Sequence, residues 1–251
     1  MSASTAIKRK GWAVKGQSLR DEFENCGRIW LRNAISKADL ARFDCAAGGS
    51  EQAGQRLDAS AALNDALSRE SSLLRALRCL APAAEPVRIV AFNKSEKANW
   101  GVPWHQDRII AVAAKADVAG YMNWTHKSGV WHCEPPRAIL ENMLFVRIHL
   151  DDSDHSNGAM EIALGSHAAG VVRTADAAAV ANTYPIETCT AKRGDVLVLK
   201  MLTLHASQPA KVQSGGRVLR VDFSSSHLPP PLSWGWQSRQ SSRLMPEGEH
   251  Q

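Results

Sequence analysis

From residue 86 onward the chain returns repeatedly to short runs of β-branched and aliphatic residues, each closed by a turn signal. The runs are PVRIVAFNK (86–94), MLFVRIHL (143–150), AMEIAL (159–164), DVLVLK (195–200) and RVLRVDF (217–223). Between them lie DDSDHSNG (151–158), KRGD (192–195) and QSGG (213–216), rich in the residues that favour reversals. The first third reads differently. A helix is expected over Ser18 to Cys26, stopped by Gly27, and a strand in RIWLRNAI from Arg28. A second helix starts at Ser36 and ends at Gly48-Gly49, residues 50–59 read as loop, and Leu63, Leu67, Leu74 and Leu77 predict one helix face from Ser60 to Ala81. A further helix fits residues 174–182, and the tail after Pro229 reads as irregular. Helices first and short strands afterwards predict a mainly β sandwich or barrel with helices outside it.

At 251 residues one domain is expected, with a helical part over 18–81, a β core over about 86–234 and an irregular C-terminal tail. With 44% hydrophobic and 22% charged residues the chain is globular rather than disordered. No apolar run reaches the ~18 residues of a membrane-spanning helix. The opening MSASTAIKRKGW has no apolar h-region, so a cytoplasmic protein is expected. The net charge of +5 does not signal nucleic acid: the basic residues are dispersed among acidic ones, and Lys8, Arg9 and Lys10 alone cluster, in a polar terminal stretch. Small-molecule substrates are expected, with no nucleic acid or membrane partner, on a monomer or homodimer. Cys26, Cys45, Cys79, Cys133 and Cys189 are odd in number and lack a C-x-x-C pair, so they read as scattered buried thiols rather than a disulfide framework.

The nine histidines carry the chemistry, because imidazole is a common ligand of iron, copper and zinc. In the extended reading of WHQDRIIAV, His105 and Asp107 are two apart and share a face, so one ion is within reach of both. His205 follows DVLVLKMLTL. Two imidazoles and a carboxylate make the facial triad of non-haem Fe(II), with open positions left over. An H-x-D alone is common by chance. Here it is joined by LDD…NGAMEIALGSH, KRGDVLVLK…LH and RVLRVDF, in that order.

That ordered set resembles the phytanoyl-CoA dioxygenase family of Fe(II)/2-oxoglutarate oxygenases, over about residues 86–234. The resemblance implies a double-stranded β-helix, a distorted cupin-like jelly roll with the metal in its mouth. It implies His105, Asp107 and His205 as iron ligands, 2-oxoglutarate and O2 as co-substrates, and hydroxylation or a related oxidation with release of succinate and CO2. A carboxylate at Asp107 favours hydroxylation over halogenation. A redox-inert Zn or Mn isomerase or hydrolase, and a non-catalytic binding module, are the alternatives. The family's 2-oxoglutarate arginine would fall on Gly216, which leaves Arg217 and Arg220 as rivals. Arg220 shares the face of position 216; Arg217 turns inward only if Gly215-Gly216 forms a bulge.

His167, in G-S-H, resembles the family's structural turn histidine. His126, His132, His155, His227 and His250 read as exposed loop or tail residues. Arg147 and His149 share one face of MLFVRIHL; a solvated face is the ordinary reading, and Arg147 is the candidate for substrate contact. Trp100, Trp104, Trp124 and Trp131 flank the H-x-D as core or lid. Residues 117–137 read as a weakly periodic lid over the metal, and Lys94 as a solvated lysine within reach of an anionic substrate.

Overall fold

The computed structural model describes residues 18–48, 54–94, 99–212 and 215–236. The strands are β1 (Arg28–Leu31), β2 (Gln55–Arg56), β3 (Glu85–Phe92), β4 (Val102–His105), β5 (Ile110–Val112), β6 (Met122–Lys127), β7 (Val130–Glu134), β8 (Met143–His149), β9 (Met160–Ala163), β10 (Ile186–Thr188), β11 (Val196–Lys200), β12 (His205–Ser207) and β13 (Val218–Ser224). The helices are α1 (residues 18–26), α2 (Lys37–Ala47), α3 (Ala61–Ala66), α4 (Ser72–Leu77), α5 (Arg137–Glu141) and α6 (Ala177–Ala181). A large sheet runs β1-β11-β8-β13-β3-β2, a small one β10-β9-β12-β4, and a third β5-β7-β6. Every pairing is antiparallel.

Period-two alternation splits the large sheet between two cores. Leu144, Val146, Ile148, Val196, Val198, Leu219, Val221 and Phe223 face outward, into one cluster with Leu40, Phe43, Leu63, Leu73 and Leu77 of the helical layer. Phe145, Leu197 and Leu199 face inward, against Met160 and Ile162 of the small sheet. Fully buried side chains such as Phe43 and Phe223 each contribute ~1.5–3 kcal/mol by leaving water. Arg147 and His149 continue the inward face of β8, so that face is enclosed rather than solvated. His149 is 0% exposed, and burial first, then the Arg147 charge, pushes its imidazole down to about 3.

Several expectations are corrected. The single helix over Ser60–Ala81 is two, because polar residues 68–71 turn the chain and Ser71 caps α4, its side chain accepting from the amide of Leu74. Residues 55–56 form an edge strand rather than loop. The supposed lid, 117–137, contains the β6–β7 hairpin of the third sheet, and His132 lies buried in it against Arg56. His126 is exposed as expected, but on a strand of that hairpin rather than in a loop, with its ring centroid 4.7 Å from that of Trp131. The tail is packed as far as Trp236: Leu228, Leu232, Trp234 and Trp236 are buried, and Trp234 bridges to Val112. Of the cysteines, all free, Cys133 and Cys189 are buried but Cys45 is exposed. The basic cluster at 8–10, and His250, lie outside the described residues.

Candidate metal centre

β4 and β12 place His105 directly across from His205, with ring centroids 4.3 Å apart. Both rings turn back on their own strands. His105 Nδ1 lies 2.8 Å from the Pro103 carbonyl and His205 Nδ1 2.9 Å from that of Thr203. A carbonyl only accepts, so each Nδ1 carries a proton, and Nε2 is the ring atom each histidine can offer to a ligand.

The H-x-D is extended only to His105; β4 ends there, and Asp107 lies beyond it. Gln106 makes this work. Its amide donates to the carbonyls of Gly170 and Leu202, both at 2.7 Å, and accepts from the amide of Val172 at 2.8 Å. With the middle residue so anchored, Asp107 falls on the cavity side, and its Oδ2 comes 3.1 Å from His205 Nε2. One potential ligand atom from each of His105, Asp107 and His205 lies within 4.8 Å of the others; no other such group occurs among the described residues. Ser166 braces the distal strand, bonding the Ala163 carbonyl and the Leu204 amide, while His167 faces the Glu24 carbonyl.

The charges suit a cation. Burial raises the Asp107 carboxyl, but the Arg220 guanidinium and the contact with His205 outweigh it and hold the group well below the carboxylate range. Burial, with the neighbouring His205, lowers His105. The centre therefore offers a carboxylate and, at His105, a neutral imidazole at physiological pH. This donor set fits Fe(II), for which two imidazoles and one carboxylate leave positions for further ligands.

Beside the triad lies a cavity of about 260 Å³, walled in part by Phe92, Trp100, Phe145 and Met160. Of the four tryptophans near the H-x-D, Trp100 reaches it; Trp104 packs beside Leu204, and Trp124 and Trp131 meet edge-to-face at 6.4 Å in the third sheet. None of residues 117–137 lines it. Lys94 does, and is not simply solvated: its Nζ donates to the carbonyls of Gly158 at 3.0 Å and Gln208 at 2.5 Å. Gly158, at φ +75°, is required here, since a Cβ would come 2.7 Å from both Lys94 Nζ and the Gln208 oxygen.

The two last-strand arginines part company. β13 pairs without a slip along β8, which sets Arg220 opposite Arg147, both on the cavity. Arg220 Nη1 lies 2.5 Å from Asp107 and its Nε 2.7 Å from Asp222, with the guanidinium 4.2 Å above the Phe145 ring. Arg217 precedes the strand and points away. It binds Asp151 at 2.8 Å and Asp44 at 3.2 Å, and the Asp151 carboxylate also accepts from the Gly216 and Arg217 amides. Burial raises Asp151, yet these bonds take it down to about 2. Sequence reasoning missed Gln106 and Asp222. The first was legible as the residue of H-x-D that faces away from the ion, the second as the residue two beyond Arg220 on the same strand face.

A family profile described as phytanoyl-CoA dioxygenase (PhyH) matches residues 17–217. No curated protein sequence matches. Among solved structures, AviO1 from Streptomyces viridochromogenes Tue57 is 20% identical at a TM-score of 0.58, covering 85% of this chain and 96% of that one. The non-heme alpha ketoglutarate dependent carbocyclase SnoK from nogalamycin biosynthesis is 17% identical at 0.60, covering 93% and 94%. HygX from Streptomyces hygroscopicus, solved with iron bound, is 13% identical at 0.56, covering 83% and 86%. The likeness is one of fold, a double-stranded β-helix of the cupin-like jelly-roll type, here with open antiparallel sheets.

Proposed function

Because the chain belongs to the phytanoyl-CoA dioxygenase family, we propose that it is an Fe(II)- and 2-oxoglutarate-dependent oxygenase that hydroxylates a small organic substrate. His105, Asp107 and His205 would hold the iron. The carrying observation is the pair of Nδ1–carbonyl bonds, which turns both Nε2 atoms toward the cavity beside a carboxylate held ionised. Iron bound there supplies the O2 chemistry that couples decarboxylation of 2-oxoglutarate, to succinate and CO2, with oxidation of the substrate.

The protein's own part is position and dryness. Arg220 fixes and ionises Asp107, and Gln106 fixes the turn that carries it. Phe92, Trp100, Phe145 and Met160 keep water from the reacting face. A carboxylate in the third ligand position favours hydroxylation over halogenation, and a cavity of about 260 Å³ suits a compact substrate rather than a polymer. The chain works as one catalytic domain. No helix among the described residues is long and apolar enough to cross a membrane.

The experiment is to supply the Fe(II)-loaded protein with 2-oxoglutarate and a substrate library under isotopically labelled O2, following succinate and product mass. Succinate formation with label in a product is the expected result. Turnover that persists without O2 or without 2-oxoglutarate would replace this reading with a redox-inert metal enzyme.

A further inference from the structure

Arg147 and Arg220 are register partners on β8 and β13 and line the same cavity. Like charges directly opposite on a sheet repel, so each needs a countercharge. Arg220 has two, Asp107 and Asp222. Among the described residues Arg147 has no carboxylate within ion-pair distance. Its one polar contact is Nη1 to the Met160 sulfur at 4.0 Å, and its Nε is sealed from solvent without a partner. The neighbouring Cys189 thiol cannot neutralise it, because burial first and the charge of Glu187 next push that thiol up to about 12. Lys94 shares the wall, where it binds two carbonyls and faces the Trp100 ring at 5.9 Å, none of them a countercharge. Burial, and then the Arg147 charge, lowers its ammonium to about 8. The cavity thus carries two cations that the described residues do not balance, and a desolvated guanidinium without a partner is costly to keep.

We infer that Arg147, with Lys94 beside it, forms a carboxylate-binding subsite of the cavity, and that the last-strand Arg220 instead acts as a positioning residue for Asp107. The guanidinium fork suits a bidentate pair with a carboxylate. That carboxylate belongs either to the distal end of 2-oxoglutarate or to the substrate. Where it names the co-substrate, the inference rests on the proposed function.

The test is calorimetric binding under anaerobic conditions, comparing wild type with Arg147→Met, Arg147→Lys and Lys94→Met. The ligands are 2-oxoglutarate and 2-oxopentanoate on the Fe(II)-loaded protein, and glutarate on both the metal-free and the 2-oxoglutarate-saturated protein. 2-Oxopentanoate keeps the keto acid but lacks the distal carboxylate. If the group is the co-substrate's, Arg147→Met weakens 2-oxoglutarate by about 10–150-fold, the loss of one charge-assisted pair, and leaves 2-oxopentanoate unchanged. If it is the substrate's, the variant keeps its affinity for 2-oxoglutarate but loses glutarate binding to the saturated protein. Either result supports the subsite. Arg147→Lys, which keeps charge without the fork, should fall between wild type and Arg147→Met and serves if Met does not fold. Arg147→Met should also melt higher than wild type, since an unpaired cation gives way to an apolar side chain. Variants that bind all three ligands as wild type does would overturn the inference, as would a wild type that binds neither 2-oxoglutarate nor glutarate. A wild type that binds glutarate through Arg147 but ignores 2-oxoglutarate would keep the subsite and remove the 2-oxoglutarate reading alone.

Discussion

Replacing Arg220 by Met should destabilise the metal-free protein much more than the metal-loaded one. The Arg220 side chain is 6% exposed and bridges Asp222, 2% exposed, to Asp107, 22% exposed. Without it, Asp222 keeps Arg88, whose Nε lies 2.7 Å away. Asp107 keeps His205, at 3.1 Å, and the weaker influence of the Arg88 charge. One carboxylate is therefore left without a direct ion pair. Breaking a buried pair costs about 3–5 kcal/mol, and the partial exposure of Asp107 places this case near the lower figure. Methionine retains the stem that packs on Phe145, so little is lost in van der Waals contact. For a chain of this length 1 kcal/mol corresponds to roughly 2–4 °C, which gives a Tm about 6–12 °C lower. A divalent ion at Asp107 restores the missing positive charge, so the deficit should shrink by more than half at saturating Mn(II). Because Arg220 lowers the Asp107 carboxyl in the folded state, the deficit is full at neutral pH and declines as pH falls below the ordinary carboxylate range. Thermal melts of chelator-treated and Mn(II)-saturated protein at neutral and acid pH measure all of this. Equal losses with and without metal, or none at all, would refute the reasoning.

Four further variants have expected outcomes. His205→Ala should lower Fe(II) affinity beyond the ~10–100-fold that loss of an outer-sphere partner costs, read by anaerobic titration, with the circular dichroism spectrum unchanged. Asp151→Asn should cost about 2 kcal/mol at pH 7, from a carboxyl lowered from 3.8 to about 2, while Arg217→Leu leaves 2-oxoglutarate binding intact. That Asp151 deficit should fade as pH is taken through about 4 towards 2 in urea unfolding. His149→Leu should flatten the loss of stability on acidification, since the unfolded imidazole takes up its proton near 6.5 and the folded one only at about 3; an unchanged slope between those values would clear His149 of the effect.

Much of this was legible in the sequence wherever one physical rule dominated. The strands at 86–94, 143–150, 195–200 and 217–223 are apolar enough to be buried on one or both faces, and each forms within a residue or two of its expected bounds. Helix α2 begins behind Ser36 and is capped by Gly48, as its end signals demand. The triad was readable from residue types and order. What escaped were features decided by distant partners. The Leu63–Leu77 stripe continues in register across a turn, so periodicity alone could not reveal the break at Ser71. Which of Arg217 and Arg220 faces the cavity depended on where β13 starts, and Asp151 holds the Gly216 and Arg217 amides just before it. The burial of Arg147 depended on which side of β8 meets the small sheet, and strand alternation leaves the two faces equivalent until the sheets are stacked.

The position of β4 bears on how long an ion would stay. His205 sits between two strands, β9 and β4, whereas β4 is the outermost strand of its sheet and meets β12 at only two register pairs, His205–His105 and Ser207–Val102. The centre thus has a fixed jaw and a hinged one. Fraying of the four residues of β4 would carry off His105 alone, while Gln106 and Arg220 keep Asp107 in place. An ion held there would lose its first bond as that edge strand frays, so a chelator would enter at β4 rather than compete for all three side chains at once.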